Sequence, residues 1–250
     1  MTPFFAIVRV TIQQLTGSAR LAGFGLLSLV PALLLAAVSR SANARALDLE
    51  LGVLLVVPFY ALVIPITTLI LASSALGDER RDKTLSFLTL RPISRLAIAA
   101  AKTSAAALVS VAFAMLGAVA LSVTWVILGG SPDIFPAIAL GAILASVMYS
   151  AVFVLLGNVL ARATLVGLLY VLFFEHVMVS DLPRLAGASL WRISLGAALE
   201  TMPAHFPARA QLGALGSWVP SVGSALIVMS SIALLTVAAA TILLKRTDSV

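Results

Sequence analysis

The residues able to do chemistry are few and sit in two places. Between Gly77 and Lys102 lie six basic side chains, Arg80, Arg81, Lys83, Arg91, Arg95 and Lys102, interleaved with Asp78, Glu79 and Asp82. Charges of both signs at that density make ion pairs and dock partners; they do not assemble a nucleophile. The second place is Glu175-His176, an acid and an imidazole set in an apolar run. An acid at the centre of a membrane span costs about 2.5–3.5 kcal/mol on insertion scales, less near the interface, so it implies a role. Neighbouring residues of an α-helix point about 100° apart, a poor arrangement for joint metal ligation. No Gly precedes Lys83, Lys102 or Lys245, so no phosphate-cradling Gly-Lys-Ser/Thr loop exists. His-Glu-x-x-His and serine-hydrolase motifs are absent too, and the chain has no cysteine for disulfides or thiolate metal sites. The expectation is a non-catalytic protein.

The remainder of the chain must position these groups, and it is oil. Apolar residues make up 61% and charged residues 10%, against ~25% charged in soluble domains. The mean hydropathy is +1.13. Apolar runs long enough to cross ~30 Å of hydrocarbon as helices recur, without the alternation of a membrane barrel. The fold class is all-α integral membrane, one domain over 1–250 with six spans near 21–39, 53–76, 98–128, 137–160, 165–179 and 222–244. Before them, residues 1–20 place Phe4, Val8, Ile12 and Leu15 opposite Arg9, Gln13, Thr16 and Arg20, which predicts an interfacial helix. Ala42-Asn43-Ala44 resembles a signal-peptidase site, but the preceding run is longer than a signal core, and a retained anchor is expected. Pro58 and Pro65 bend the second span. Gly129 to Pro136 reads as a tight turn, and Gly141, Ala145 and Ser146 permit close helix contact in the fourth span. The segment 180–221, punctuated by Pro183, Pro203, Pro207 and Pro220, reads as short helices dipping into the outer leaflet, with Trp191 and Trp218 at the interface.

Within the charged segment, Asp78 is expected to cap a short helix starting at Glu79, Pro92 to break it, and Ser94 to cap the next span. Leu85, Phe87, Leu88 and Leu90 point to two sides, as suits a helix held between its own membrane domain and a soluble protein. Glu79, Lys83-Thr84-Leu85, Leu88, Pro92-Ile93-Ser94-Arg95 and Lys102 resemble the first cytoplasmic loop of type 2 ABC exporter permeases. Lys83 stands where that family often has Gly, and Ser86 where it often has Glu. A second stretch, Tyr170 to Glu175 with Leu182-Pro183 and Ile193-Ser194-Leu195, is similar to the family's later spans, with Phe174 in place of a common Trp.

The resemblance implies a coupling segment over 78–95 seated in a groove of an ATP-hydrolysing subunit. The docking residues would be Glu79, Lys83, Thr84, Leu85, Phe87, Leu88, Pro92 and Arg95. ATP and Mg would sit on that partner, with no cofactor on this chain. It further implies a homodimer or a heterodimer with a similar permease. Glu175, His176, Asn158 and Tyr149 are the candidates for an outer gate and translocation path, and no residue is assigned to a metal. Tyr60, Thr67 and Thr68 add polarity to an apolar wall suited to lipids, hydrophobic peptides or drugs.

With both termini cytoplasmic, eleven basic residues fall inside and five (Arg40, Arg45, Arg184, Arg192, Arg209) outside, as the positive-inside rule requires. The Arg- and Ala-rich usage points to a bacterial inner membrane, where the basic excess meets anionic lipids rather than nucleic acid. The function expected is the permease subunit of an ATP-driven exporter. The alternatives are a proton-coupled secondary transporter, which wants more buried acids and an internal repeat, and, further off, an intramembrane enzyme.

Overall fold

A computed structural model describes residues 3–39, 56–82, 93–178, 187–204, 206 and 220–247, except for the side chains of 176–178 and 246–247. No strand occurs among them. The first helix, α1 (Pro3–Leu15), packs on the third span through Thr11 and Leu15, which are buried, while Arg9, Gln13 and Gln14 remain exposed. After Gly17 the chain enters α2 (Ser18–Val38).

The second span is irregular where its prolines fall. A π-helical turn, Phe59–Val63, lies between Pro58 and Pro65 and runs into α3 (Ile64–Arg81). The helix does not break before the charges: Asp78, Glu79, Arg80 and Arg81 are its last turn, and Asp82 is its C-cap. Asp78 is therefore not an N-cap. Extending an existing helix adds one hydrogen bond per residue, whereas a new helix pays for nucleation again. Arg80 and Arg81 also suit the negative dipole end.

Ser94 caps the next helix as expected, accepting from the Ala97 amide at 3.2 Å. That helix, α4 (Arg95–Ile127), has 33 residues, about 50 Å at 1.5 Å each, and overruns the hydrocarbon core. It turns at Gly129, whose φ of +90° is open to glycine and strained for other residues. A short 3₁₀ turn, Pro132–Ile134, leads into α5 (Phe135–Val159). Next come α6 (Ala163–Leu169), continued as a π-helix over Tyr170–Met178, then α7 (Leu190–Thr201) and α8 (Val222–Thr247).

The bundle is organised on α5, which packs against α3, α4, α7 and α8. Small residues set its closest approaches. A Cβ on Gly157 would lie 2.2 Å from the Ser73 carbonyl oxygen, and one on Gly141 would lie 2.6 Å from the Tyr60 hydroxyl and 2.9 Å from the Ser194 carbonyl oxygen. Ala145 and Ser146 are buried on the same helix. On the outside, Leu26, Leu108, Ile227, Leu234 and Leu235 are exposed, as lipid-facing residues are.

Among the described residues, five helices are long and apolar enough to cross a membrane: Ser18–Val38, Phe59–Arg81, Arg95–Ile127, Pro132–Val159 and Val222–Lys245. The span expected at 165–179 takes the form of a shorter apolar helix, Ala163–Glu175. Within the stretch 180–221, the described residues include the short helix α7, with nine buried positions packed on α5 and α8. Trp191 is buried there, not at an interface; Trp218 lies outside the described residues. Near the other end, Ile98 and Ala99 of α4 meet Ala240 and Leu244 of α8 and Ile7 of α1. The first and last helices therefore bring Ile7 and Leu244 to the same end of the bundle.

Candidate functional site

Two polar clusters stand out in the apolar bundle. The first is at the charged end of α3. Successive residues of a helix splay about 100° apart, and here each of three reaches a different neighbour. Asp78 pairs with Arg20 of α2 at 3.3 Å and with Arg81 at 2.6 Å. Glu79 pairs with Lys102 of α4 at 2.5 Å. Arg80 donates to the Asn158 carbonyl oxygen at the end of α5. The Lys102 ammonium also reaches Gln14 Oε1 of α1 at 3.4 Å. Lysine is almost never fully buried unless paired, and Lys102 is 1% exposed. The end of α3 is thus a hub tied to α2, α4 and α5, and through Lys102 to α1.

Of the residues expected to dock a partner, Lys83, Thr84, Leu85, Phe87, Leu88 and Pro92 lie outside the described residues. Glu79 and Arg95 flank that gap in the description. Glu79 turns into the bundle toward Lys102, and Arg95 opens α4 half-buried.

The second cluster surrounds Glu175, which is fully buried. Its Oε1 accepts from the Tyr149 hydroxyl (3.0 Å), the Tyr170 hydroxyl (2.9 Å) and the Leu190 amide (3.1 Å). Its Oε2 accepts from the Ser189 hydroxyl at 2.5 Å. The Trp191 indole N–H donates to the Glu175 carbonyl oxygen at 3.4 Å. Ser189 also caps α7, accepting from the Arg192 amide at 3.4 Å. The carboxyl group therefore sits at the N-terminus of α7, where the helix dipole favours negative charge. It joins the π-helix, α5 and α7. Around it the Tyr149–Phe153, Phe153–Tyr170 and Tyr170–Phe174 rings pack with centroids 5.5, 6.3 and 5.3 Å apart.

Glu175 does not reach for headgroups: it bonds both backbone and a facing helix. Tyr149 joins it directly. Asn158 does not, standing at the charged end with its amide nitrogen lacking a partner among the described residues. The His176 side chain is outside the described residues, and no group of three metal-ligating side chains occurs among those described. Ser189, Tyr170 and the Leu190 amide were missed by sequence reasoning. A serine opening the apolar run 190–199 is a capping signal that could have located α7. The Arg20–Asp78 and Gln14–Lys102 contacts join residues 58 and 88 positions apart and left no local signal.

A family model described as ABC-2 family transporter protein matches residues 18–182, more than half of the chain. No curated protein matches it.

Proposed function

The chain belongs to the ABC-2 transporter family, and from that membership we propose that it is the permease subunit of an ATP-driven exporter. ATP and Mg are held by a separate ATPase subunit, which docks on the segment 78–95 through Lys83, Thr84, Leu85, Phe87, Leu88, Pro92 and Arg95; Glu79, expected among them, is turned inward to Lys102. Two permease chains, identical or similar, work with two such subunits in a bacterial inner membrane, both termini cytoplasmic. The observation that carries this reading is the hub at the start of that segment. Asp78, Glu79 and Arg80, its first residues, tie α3 to three other helices, so a push on the segment moves the bundle rather than one helix. The Glu175 cluster serves as the gate, ordering α7 against α5 and the π-helix through Tyr149, Tyr170 and Ser189.

The test is affinity purification of the tagged chain from its own membranes in mild detergent, with mass spectrometry of what co-elutes. A stoichiometric ATPase is expected, lost in the Leu85→Asp/Leu88→Asp variant together with ATP-dependent export, while membrane insertion persists. A chain that purifies alone, with that variant still transporting, overturns the coupling.

A further inference from the structure

Where α2, α3 and α4 meet, the bundle holds a narrow seam lined by Ser28, Val63, Thr67, Thr68, Ser110 and Ala114 among others. Its parts are too narrow to seat a water molecule. Ser110 is 1% and Thr67 3% exposed, and neither hydroxyl has a hydrogen-bond partner among the described residues.

Thr11, Ser122, Ser146 and Ser150 are also buried without a partner among the described residues, but only at this gap do two such hydroxyls line one space from two helices. Other hydroxyls in the spans are satisfied locally. Ser28, Thr124, Ser230, Thr236 and Thr241 each donate to the carbonyl four residues earlier, at 2.7 to 2.9 Å. That back-bond is the usual way a helical Ser or Thr satisfies itself away from water. A buried hydroxyl without it carries the full desolvation penalty of an unmade bond. Two such groups, from α3 and α4, share one gap with the hydroxyls of Ser28 and Thr68. Alanine and valine would fill the same space without that penalty, so the arrangement costs stability as it stands. Water or a polar ligand entering the seam removes that penalty.

The adjoining backbone is weakened at the same level. The π-helical turn Phe59–Val63 ends at Val63, which lines the gap, and Pro65 has no amide to donate to the helix ladder. π-Bulges of this kind are frequent at functional sites. Below, the Asp78–Arg20 and Glu79–Lys102 pairs fasten α2 and α4 to α3 at the charged end. The spans are thus pinned at one end and under-satisfied further along.

We propose that α2, α3 and α4 part along this hydroxyl seam during the transport cycle, and that the seam then takes water and hydrogen-bonding groups of a passing ligand. The proposal rests on the permease reading for its motion, but not for its test.

The chain has no cysteine, so Ser110→Cys and Thr67→Cys each introduce a single reporter thiol with little change in volume. The full chain in its own membrane vesicles is treated with methanethiosulfonate ethyltrimethylammonium, a charged reagent that needs water to reach a thiol. Leu71→Cys, at a fully buried site on α3 that does not line the gap, is the reference. Both seam thiols are expected to react about tenfold faster than Leu71→Cys, because they lie on the segment that opens locally. Adding Thr67→Val, which keeps the shape and removes the hydroxyl, should slow labelling of Ser110→Cys several-fold. Seam thiols no faster than Leu71→Cys, with size-exclusion profiles showing intact folding, overturn the proposal. So does labelling that ignores Thr67→Val. If the seam labels but no ATPase co-purifies, the hydrated seam stands and the ATPase-driven reading falls; the reverse pattern removes only the seam.

Discussion

At the scale of residues, two buried charged groups are handled differently. Glu175 is surrounded by dipoles: three hydroxyls and an amide donate to its carboxyl group. Removing the acceptor strands donors, and each stranded buried donor costs about 1–3 kcal/mol. Glu175→Ala is therefore expected to lower the thermal unfolding midpoint in detergent more than Tyr149→Phe, which deletes one donor of four. Glu175→Gln, which keeps an acceptor oxygen, should fall between wild type and Glu175→Ala. Equal losses from Glu175→Ala and Tyr149→Phe would count against a cluster centred on the acid. Lys102 is satisfied by a charge instead. Breaking a buried pair by removing one partner costs about 3–5 kcal/mol, while replacing both with apolar residues of similar size is often neutral. Lys102→Met alone should destabilise strongly, and Glu79→Leu/Lys102→Met should recover much of that loss. A double variant as unstable as the sum of the single ones would show that the two do not act as a pair.

At the scale of elements, the positions of small side chains decide which helices touch. Gly157 lets α5 lie on α3 at Ser73, where a Cβ would come within 2.2 Å of a carbonyl oxygen. Backbone cannot yield there as a flexible side-chain tip would, and overpacking commonly costs about 1–3 kcal/mol or more. Gly157→Leu is expected to broaden the size-exclusion peak and lower the unfolding midpoint. Gly23 in α2 has nothing within 4 Å of where its Cβ would stand. Gly23→Ala should be neutral or stabilising, by up to ~1 kcal/mol from reduced freedom of the unfolded chain. The reverse ranking in a thermal-shift assay would contradict the packing described. The same logic explains α3: nothing in Asp78-Glu79-Arg80-Arg81 stops a helix already running, so the charges ride on the end of a span and face three neighbours.

At the scale of the whole molecule, α1 and the end of α8 meet beside the start of α4. Tags at the N- and C-termini are expected to show the same accessibility to an impermeant protease in sealed vesicles. Opposite accessibility would contradict the shared end. Much of this could be read along the chain. Composition, run length and absent motifs give an all-helical multi-pass membrane protein without phosphate-loop or metalloprotease signatures. Ser94 as a cap and the turn at Gly129 follow from local chemistry, because a cap and a positive φ act within a few residues; Gly141 shows its missing Cβ in the sequence, but its partners Tyr60 and Ser194 come from packing. The family was also legible, in the motif around Pro92-Ile93-Ser94-Arg95. What needed the tertiary structure is everything that depends on which faces meet. Asp78 becomes a bridge to Arg20 only because α2 lies beside α3. Trp191 is an interior donor, not an interface anchor, because α7 folds back onto α5. Asn158 and Glu175, grouped together from their polarity, stand in separate clusters because Asn158 closes the charged end of α5 while Glu175 bonds to Tyr149 and the start of α7. Burial and long-range pairing follow from packing, and packing has no period in the sequence.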